Sequence, residues 1–149
     1  PSIAAILDTA VGGFSECSGL EMALEIEEHK EGGRNGSVLK FPTRVTWGPI
    51  SLKHGMGADT ALWDWHFSFA EGRGKRRDGV ITLLNDLRLP VHIWYFRRGL
   101  PMRYTGPSLN AAQSAVAIEA LEIVHEGLYQ VPFVGGVSSA ASSVVGALA

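Results

Sequence analysis

At 149 residues, with 46% hydrophobic and 19% charged residues, the chain has the make-up of one globular domain and not of a disordered segment. Its formal net charge of −2 excludes a global basic field for gathering nucleic acid. The single cysteine, Cys17, excludes an internal disulfide and a thiolate zinc cluster, and fits a reducing, cytosolic folding environment.

Pro1 to Ala10 lacks a basic opening and includes Asp8, so it does not read as a secretory signal. From Val11 an apolar segment, broken by Gly12, Gly13 and Gly19, runs into an alternating stretch, Glu21 to Glu28. Side chains alternate across a strand, so Met22, Leu24 and Ile26 form a greasy face and Glu21, Ala23, Glu25 and Glu27 an acidic one. His29 to Lys40, with three glycines and an Asn-Gly pair, reads as a loop. It is long for a hairpin, and long loops in compact domains are usually functional or mobile. Arg44 to Lys53 predicts more strand, with Val45, Trp47, Ile50 and Leu52 apolar. Pro42 and Pro49 interrupt it, so an edge or bulge is expected.

Asp59 to Ala70 predicts one helix, capped by Asp59 or Thr60 and stopped at Glu71-Gly72. Leu62, Trp65, His66 and Phe69 make its apolar stripe, widened by Trp63 and Phe67. Gly72 to Arg77 is a basic turn. Strands are expected at Gly79–Leu84, Val91–Arg97 and Met102–Gly106, with Ala115–His125 as the last. The Val91–Arg97 strand is apolar on both sides, as for a strand covered on both faces. Short strands at regular spacing with a single helix point to a β-barrel or sandwich. After Glu126 the chain carries no charge. The run is near bilayer length but is mostly Gly, Ser and Ala, so a small-residue arm is favoured over a membrane span.

Few residues suggest chemistry. GMGADT, Gly55 to Thr60, lacks the third glycine and the βαβ context of a dinucleotide site, and reads as a tight turn. GRGKRR lacks the upstream glycine of a phosphate loop; a solvated turn is favoured, or a salt contact to Glu25, Glu27 and Glu28 of an adjacent subunit. His29, His54, His66, His92 and His125 have no metal-ligand spacing. Ser15 and Ser18 beside Cys17 sit in no nucleophile elbow, and no catalysis is expected. Glu119 and Glu122, three apart on a strand, face opposite sides. Were Glu119 to face outward with Ala117 and Leu121, that mixed exterior would suit a subunit contact.

Several separated blocks, GGFSECSGLE, EGG, LWDWHF and NAAQSAVAIEALEIVHEGL, together resemble the tail tube family of contractile phage tails. They are more similar still to the inner-tube subunits of phage-tail-like extracellular contractile injection systems. The resemblance covers Val11 to Leu128. It implies a mainly β fold, a tail-tube β-barrel or sandwich of two packed antiparallel sheets with one flanking α-helix, completed by ring assembly. It implies a tail-tube domain over 1–128 and a C-terminal extension over 129–149. Hexameric rings would stack into a channel for cargo protein or DNA, within a sheath and between baseplate and terminator proteins. The subunit would be made in the bacterial cytoplasm, join an injection particle or phage tail, and insert in no membrane. It would need no cofactor.

Residue by residue, Gly12, Gly13, Phe14, Ser15, Gly19, Leu20 and Glu21 match the first block. Glu31, Gly32, Gly33, Asn35 and Gly36 match the long loop, which the resemblance implies reaches the next ring, so His29, Lys30, Glu31, Gly32, Gly33, Arg34, Asn35 and Gly36 are the expected inter-ring residues. Trp63 and Trp65 match the helix block. Pro107, Leu109, Asn110, Glu119, Glu122, His125, Glu126 and Gly127 match the closing block. The rivals are the secreted ring protein of type VI secretion, a monomeric barrel with Trp47, Trp63 and Trp65 around a ligand, and an enzyme with an unrecognised site.

Overall fold

The computed structural model describes residues 2–7, 10–33, 36–56 and 60–131. β1 (Ser2–Leu7) and β2 (Ala10–Phe14) form a hairpin, followed by the short β3 (Glu16–Ser18). β4 (Met22–His29) and β5 (Leu39–Trp47) pair only with each other. Next come β6 (Ile50–Gly55), α1 (Ala61–Ala70), β7 (Arg77–Leu84), β8 (Pro90–Thr105), β9 (Ile118–Val124) and β10 (Gly127–Val131).

Eight strands form one sheet in the order β2-β1-β7-β8-β9-β6-β3, with β10 also on β8. Every pairing is antiparallel. The two antiparallel sheets expected from the sequence are two halves of this sheet, curled into a half-barrel. β8 belongs to both. Its first part pairs with β7 and β10, and Leu100–Thr105 pairs with β9. The bend falls at Arg98, whose φ is 51°, and Gly99, whose added Cβ would sit 2.5 Å from Phe96. Across from it β9 and β10 are interrupted at His125–Glu126, where the Glu126 amide donates to Arg97 O at 3.0 Å.

Two expectations are corrected here. Val91–Arg97 and Met102–Gly106 are one 16-residue strand, because the backbone turns at Arg98–Gly99 without leaving the ladder. Ala115–His125 is not the last strand either. β10 follows and carries the sheet through Val131, past the boundary expected at Leu128.

The concave side of the sheet and α1 share one core: Phe14, Ile50, Leu52, Leu62, Trp65, Ile81, Phe96, Leu121 and Ile123. Burying side chains of this size contributes about 1.5–3 kcal/mol each. Trp65 also donates its indole N–H to Lys75 O at 2.9 Å, which fixes the link from α1 to β7. Thr60 occupies the N-cap, but its hydroxyl donates to Asp64 at 2.8 Å and caps no amide. Asp59 lies outside the described residues, as do Pro1, Asp8 and 132–149.

Candidate assembly surfaces

The β4–β5 ribbon is the part of the chain least like a monomer. Alternation predicts that Met22, Leu24 and Ile26 share a face, and a strand face of that kind is normally buried. Here they are 72%, 50% and 48% exposed, and Val45 opposite Leu24 is about as open. Cross-strand partners tie the two strands together. Arg44 Nε reaches Glu25 at 2.6 Å, Lys40 reaches Glu28 at 3.9 Å, and the Thr43 hydroxyl donates to Glu25 O at 2.9 Å. A register shift beside Pro42 realises the bulge expected from that proline.

The ribbon's root is tightly built. Gly19 has φ +81° and lies against the Pro49 carbonyl, while Leu20 packs on the core. Glu21 sits beside Gly48, and His125 Nε2 lies 3.1 Å from Gly48 O. Burial holds the His125 imidazole below its usual pKa. At the far end His29 closes β4, and Lys30, Glu31, Gly32, Gly33 and Gly36 are exposed. Arg34 and Asn35 lie outside the described residues.

A second open surface lies on α1. Trp63 and Trp65 are two positions apart, so a helix turns them to different sides. Trp65 is buried, whereas Trp63 is 48% exposed. It stacks on Phe67 at 5.9 Å and meets Tyr104 edge-on at 5.1 Å. Trp63, Tyr104, Met56, Pro107 and Glu119 line a concavity of about 310 Å³. Trp47 instead faces His125, and Trp65 faces Lys75 and Arg77, so the three tryptophans surround no common cavity. Asn110 accepts the Ala112 amide at 3.0 Å, shaping the turn after β8.

Glu119 does not face outward. It is 4% exposed, on the same side of β9 as Leu121 and Ile123. His54 is its direct cross-strand neighbour, with Nε2 against Oε1, and the Tyr104 hydroxyl donates to its other oxygen. That hydrogen bond, with burial second, pushes the Tyr104 phenol up to about 12. A buried carboxylate needs such partners. Glu122 is half-buried, with Arg103 at 4.0 Å. Glu126 holds Arg76 at 3.3 Å and Arg98 at 2.6 Å, while Arg73 pairs with Glu71. Gly127 is buried, and a Cβ there would meet the Tyr129 ring.

In the first block Phe14 enters the core and Ser15 Oγ donates to Lys53 O at 3.1 Å. Gly12 and Gly13 pair with Ala5 and Ala4 of β1. Burial pushes the Cys17 thiol up to about 11, against thiolate formation. Among the described residues no group of three His, Cys, Asp or Glu side chains could hold a metal. Among them, too, no helix is long and apolar enough to cross a membrane.

Among the described residues, a bent antiparallel sheet with one helix and a ribbon that pairs only with itself define the class: a β subunit of the tube fold. The T4-like virus tail tube protein gp19 family matches residues 3–129, and the chain belongs to that family. Among solved structures it is similar to a chain of the anti-feeding prophage baseplate, 28% identical, with TM-score 0.73, covering 87% of this chain and 90% of that one. It shares its fold with a chain of the sheath-tube complex of the PVC extracellular contractile injection system, 22% identical, with TM-score 0.76 and 86% of each chain covered. Hcp1 from Flavobacterium johnsoniae shares the fold more distantly, at 12% identity and TM-score 0.56, over 87% of this chain and 94% of that one. No curated protein matches the chain. The chain is a structural tail-tube subunit.

Proposed function

We propose that copies of this subunit close into hexameric rings, and that the rings stack into the hollow inner tube of a contractile injection particle or phage tail. The observation that carries this is the exposed apolar face of the β4–β5 ribbon, which no element among the described residues covers. Unpaired edges and open apolar faces invite association, and head-to-tail contacts that close make a ring. Family membership supports the same reading. The loop His29–Gly36 makes the inter-ring contact. The first-block residues Gly12–Ser15 and Gly19–Glu21 root the ribbon. Trp63, Pro107 and Asn110 face a neighbour, while Trp65, Glu119, Glu122, His125, Glu126 and Gly127 hold the subunit's shape behind those surfaces.

The role is mechanical, with no catalysis and no cofactor. A surrounding sheath, a baseplate and a terminator are the expected partners, with cargo protein or DNA in the bore. The tube domain includes all of β10, to Val131, and synthesis is in the bacterial cytoplasm. Electron microscopy and sedimentation of purified protein test the reading. Rings or tubes are expected, and deletion of Gly32–Asn35 should leave rings that form no long tubes. A compact monomer at every concentration would refute the assembly. Tubes of ordinary length from the deletion would refute the loop's role.

A further inference from the structure

Beyond the apolar ribbon, the described residues include a built cationic cleft. Arg76, Arg77, Asp78 and Arg98 line a concavity of about 330 Å³. Arg98 holds a backbone conformation that side chains rarely adopt, φ 51°, although Gly99 stands one position on. Strain kept at a non-glycine residue points to a use for its side chain. The surroundings enforce it: the Arg98 amide donates to Asp78 Oδ1 at 2.7 Å, and its Nε reaches Glu126 Oε2 at 2.6 Å. Arg76 Nη1 bridges Arg98 O and Glu126, both at 3.3 Å. The cleft is preformed and cation-rich. Three arginines, Arg76, Arg77 and Arg98, stand there against two carboxylates, Asp78 and Glu126.

The complementary charge lies on the ribbon. From Met22 to Glu31 there are four carboxylates, Glu25, Glu27, Glu28 and Glu31, against Lys30 alone. Within the ribbon Arg44 faces Glu25 and Lys40 faces Glu28, but Glu27 stands opposite Phe41. The cleft and the ribbon's root are also neighbours. Glu126, which the cleft arginines hold, follows His125, which contacts Gly48 at the root. In a ring made by rotation about one axis, every copy's cleft therefore sits at the level of every copy's ribbon root. β4 has eight residues, a reach of about 25 Å at roughly 3.3 Å per residue.

We propose that the Arg76–Arg98 cleft receives the acidic run Glu27–Glu31 of a ribbon from the adjoining ring, with charge complementarity setting the register between rings. The proposal rests on the ring reading above and names the contact that orients it. Charged pairs of this kind govern register and encounter more than total affinity, and they weaken with salt.

The test is a charge swap in the full chain. Glu27→Lys with Glu31→Lys alters only exposed ribbon positions, so folding is spared; Arg76→Glu with Arg98→Glu forms the other half, checked by circular dichroism. Each half should raise the concentration for half-maximal assembly, read by sedimentation velocity, by about tenfold or more, and the two combined should restore it to within about threefold. Should the cleft variant fail to fold, Arg76→Gln alone, with assembly followed against NaCl, replaces it: its salt dependence should be shallower than the wild type's. Unchanged assembly in either half, or a combination no better than its parts, overturns the contact while leaving the tube reading intact. So does single-stranded DNA that binds the wild type and is lost on cleft reversal with assembly unaffected. A wild type that never leaves the monomer overturns both.

Discussion

Replacing Gly19 by Ala probes whether the ribbon is rooted as rigidly as its geometry says. Two separate costs meet there. The φ of +81° is left-handed, which for an L side chain costs about 1–2 kcal/mol. The new Cβ would lie 1.9 Å from the Pro49 carbonyl oxygen and 3.0 Å from its carbon. Those are backbone atoms, and the next residue, Ile50, is fully buried, so relief requires shifting the start of β6. Overpacking of that kind costs about 1–3 kcal/mol. The sum, about 2–5 kcal/mol, is a large part of the 5–15 kcal/mol that stabilises a typical domain. Two controls separate the terms. Gly72 has φ +76° and open space around it, so Gly72→Ala should cost only about 1–2 kcal/mol. At Gly48→Ala the nearest atoms the new Cβ meets are those of the Glu21 side chain, which is exposed and can swing away, so a change within about 0.5 kcal/mol is expected. Urea unfolding followed by tryptophan fluorescence, at concentrations where the chain is monomeric, measures all three. A Gly19→Ala loss no larger than that of Gly72→Ala would show that the Pro49 carbonyl does not bound the root, and the account would fail.

Tyr104→Phe removes the hydroxyl donor from buried Glu119 and should cost about 1.5–3 kcal/mol in the same assay. Tyr95 and Tyr104 are both pushed up to about 12 in the folded chain, from about 10. Between those values the unfolded state has released protons that the folded state still binds, so stability is lost as pH rises from 10 to 12. That alkaline loss should be shallower in Tyr104→Phe. His125 is shifted the other way, below 6.5. Under pH 6.5 the unfolded state takes up a proton that the folded state resists, so stability falls as pH drops, and the fall should be smaller in His125→Asn when unfolding midpoints at pH 7.5 and 5.5 are compared. Truncation after Val131 keeps β10 whole, whereas truncation after Tyr129 removes the Gln130–Trp94 and Val131–Ile93 pairs. The shorter chain should be the less stable by about 1 kcal/mol, read from its melting temperature.

Local pattern made some elements legible and long-range pairing hid others. The alternation of Met22, Leu24 and Ile26 against the glutamates marks β4 almost to the residue, and Leu62 and Trp65 mark the buried face of α1. β8 is illegible as one strand because Arg98–Gly99 and Pro101 read as a break, and only pairing with β7, β9 and β10 shows that the backbone bends and continues. β10 is missed because Gly127–Val131 is short and runs into a tail of small residues. The inward placement of Glu119 depends on His54 and Tyr104, which are distant in sequence. A carboxylate on an apolar strand face is understandable only after strand register brings its partners to it.

The ribbon shows why an incomplete subunit is hard to recognise from pattern alone. Alternation specifies that one face of β4 is apolar, and it is silent on what covers that face. A core strand and an assembly strand therefore carry the same signal. They differ in the polar face. On a core strand at the surface that face meets water, whereas here Glu25 is answered from β5 by Arg44 and, on the other face, Glu28 by Lys40, so cross-strand pairs tie the two strands together without a core. A two-stranded ribbon is marginal by itself. Its root therefore has to hold it, through the glycine at position 19 and the His125–Gly48 contact, until a neighbour covers its apolar side. On that argument the rigidity of the root and the exposure of Met22, Leu24 and Ile26 are two parts of one arrangement, a strand pair ordered in advance so that association costs little conformational entropy.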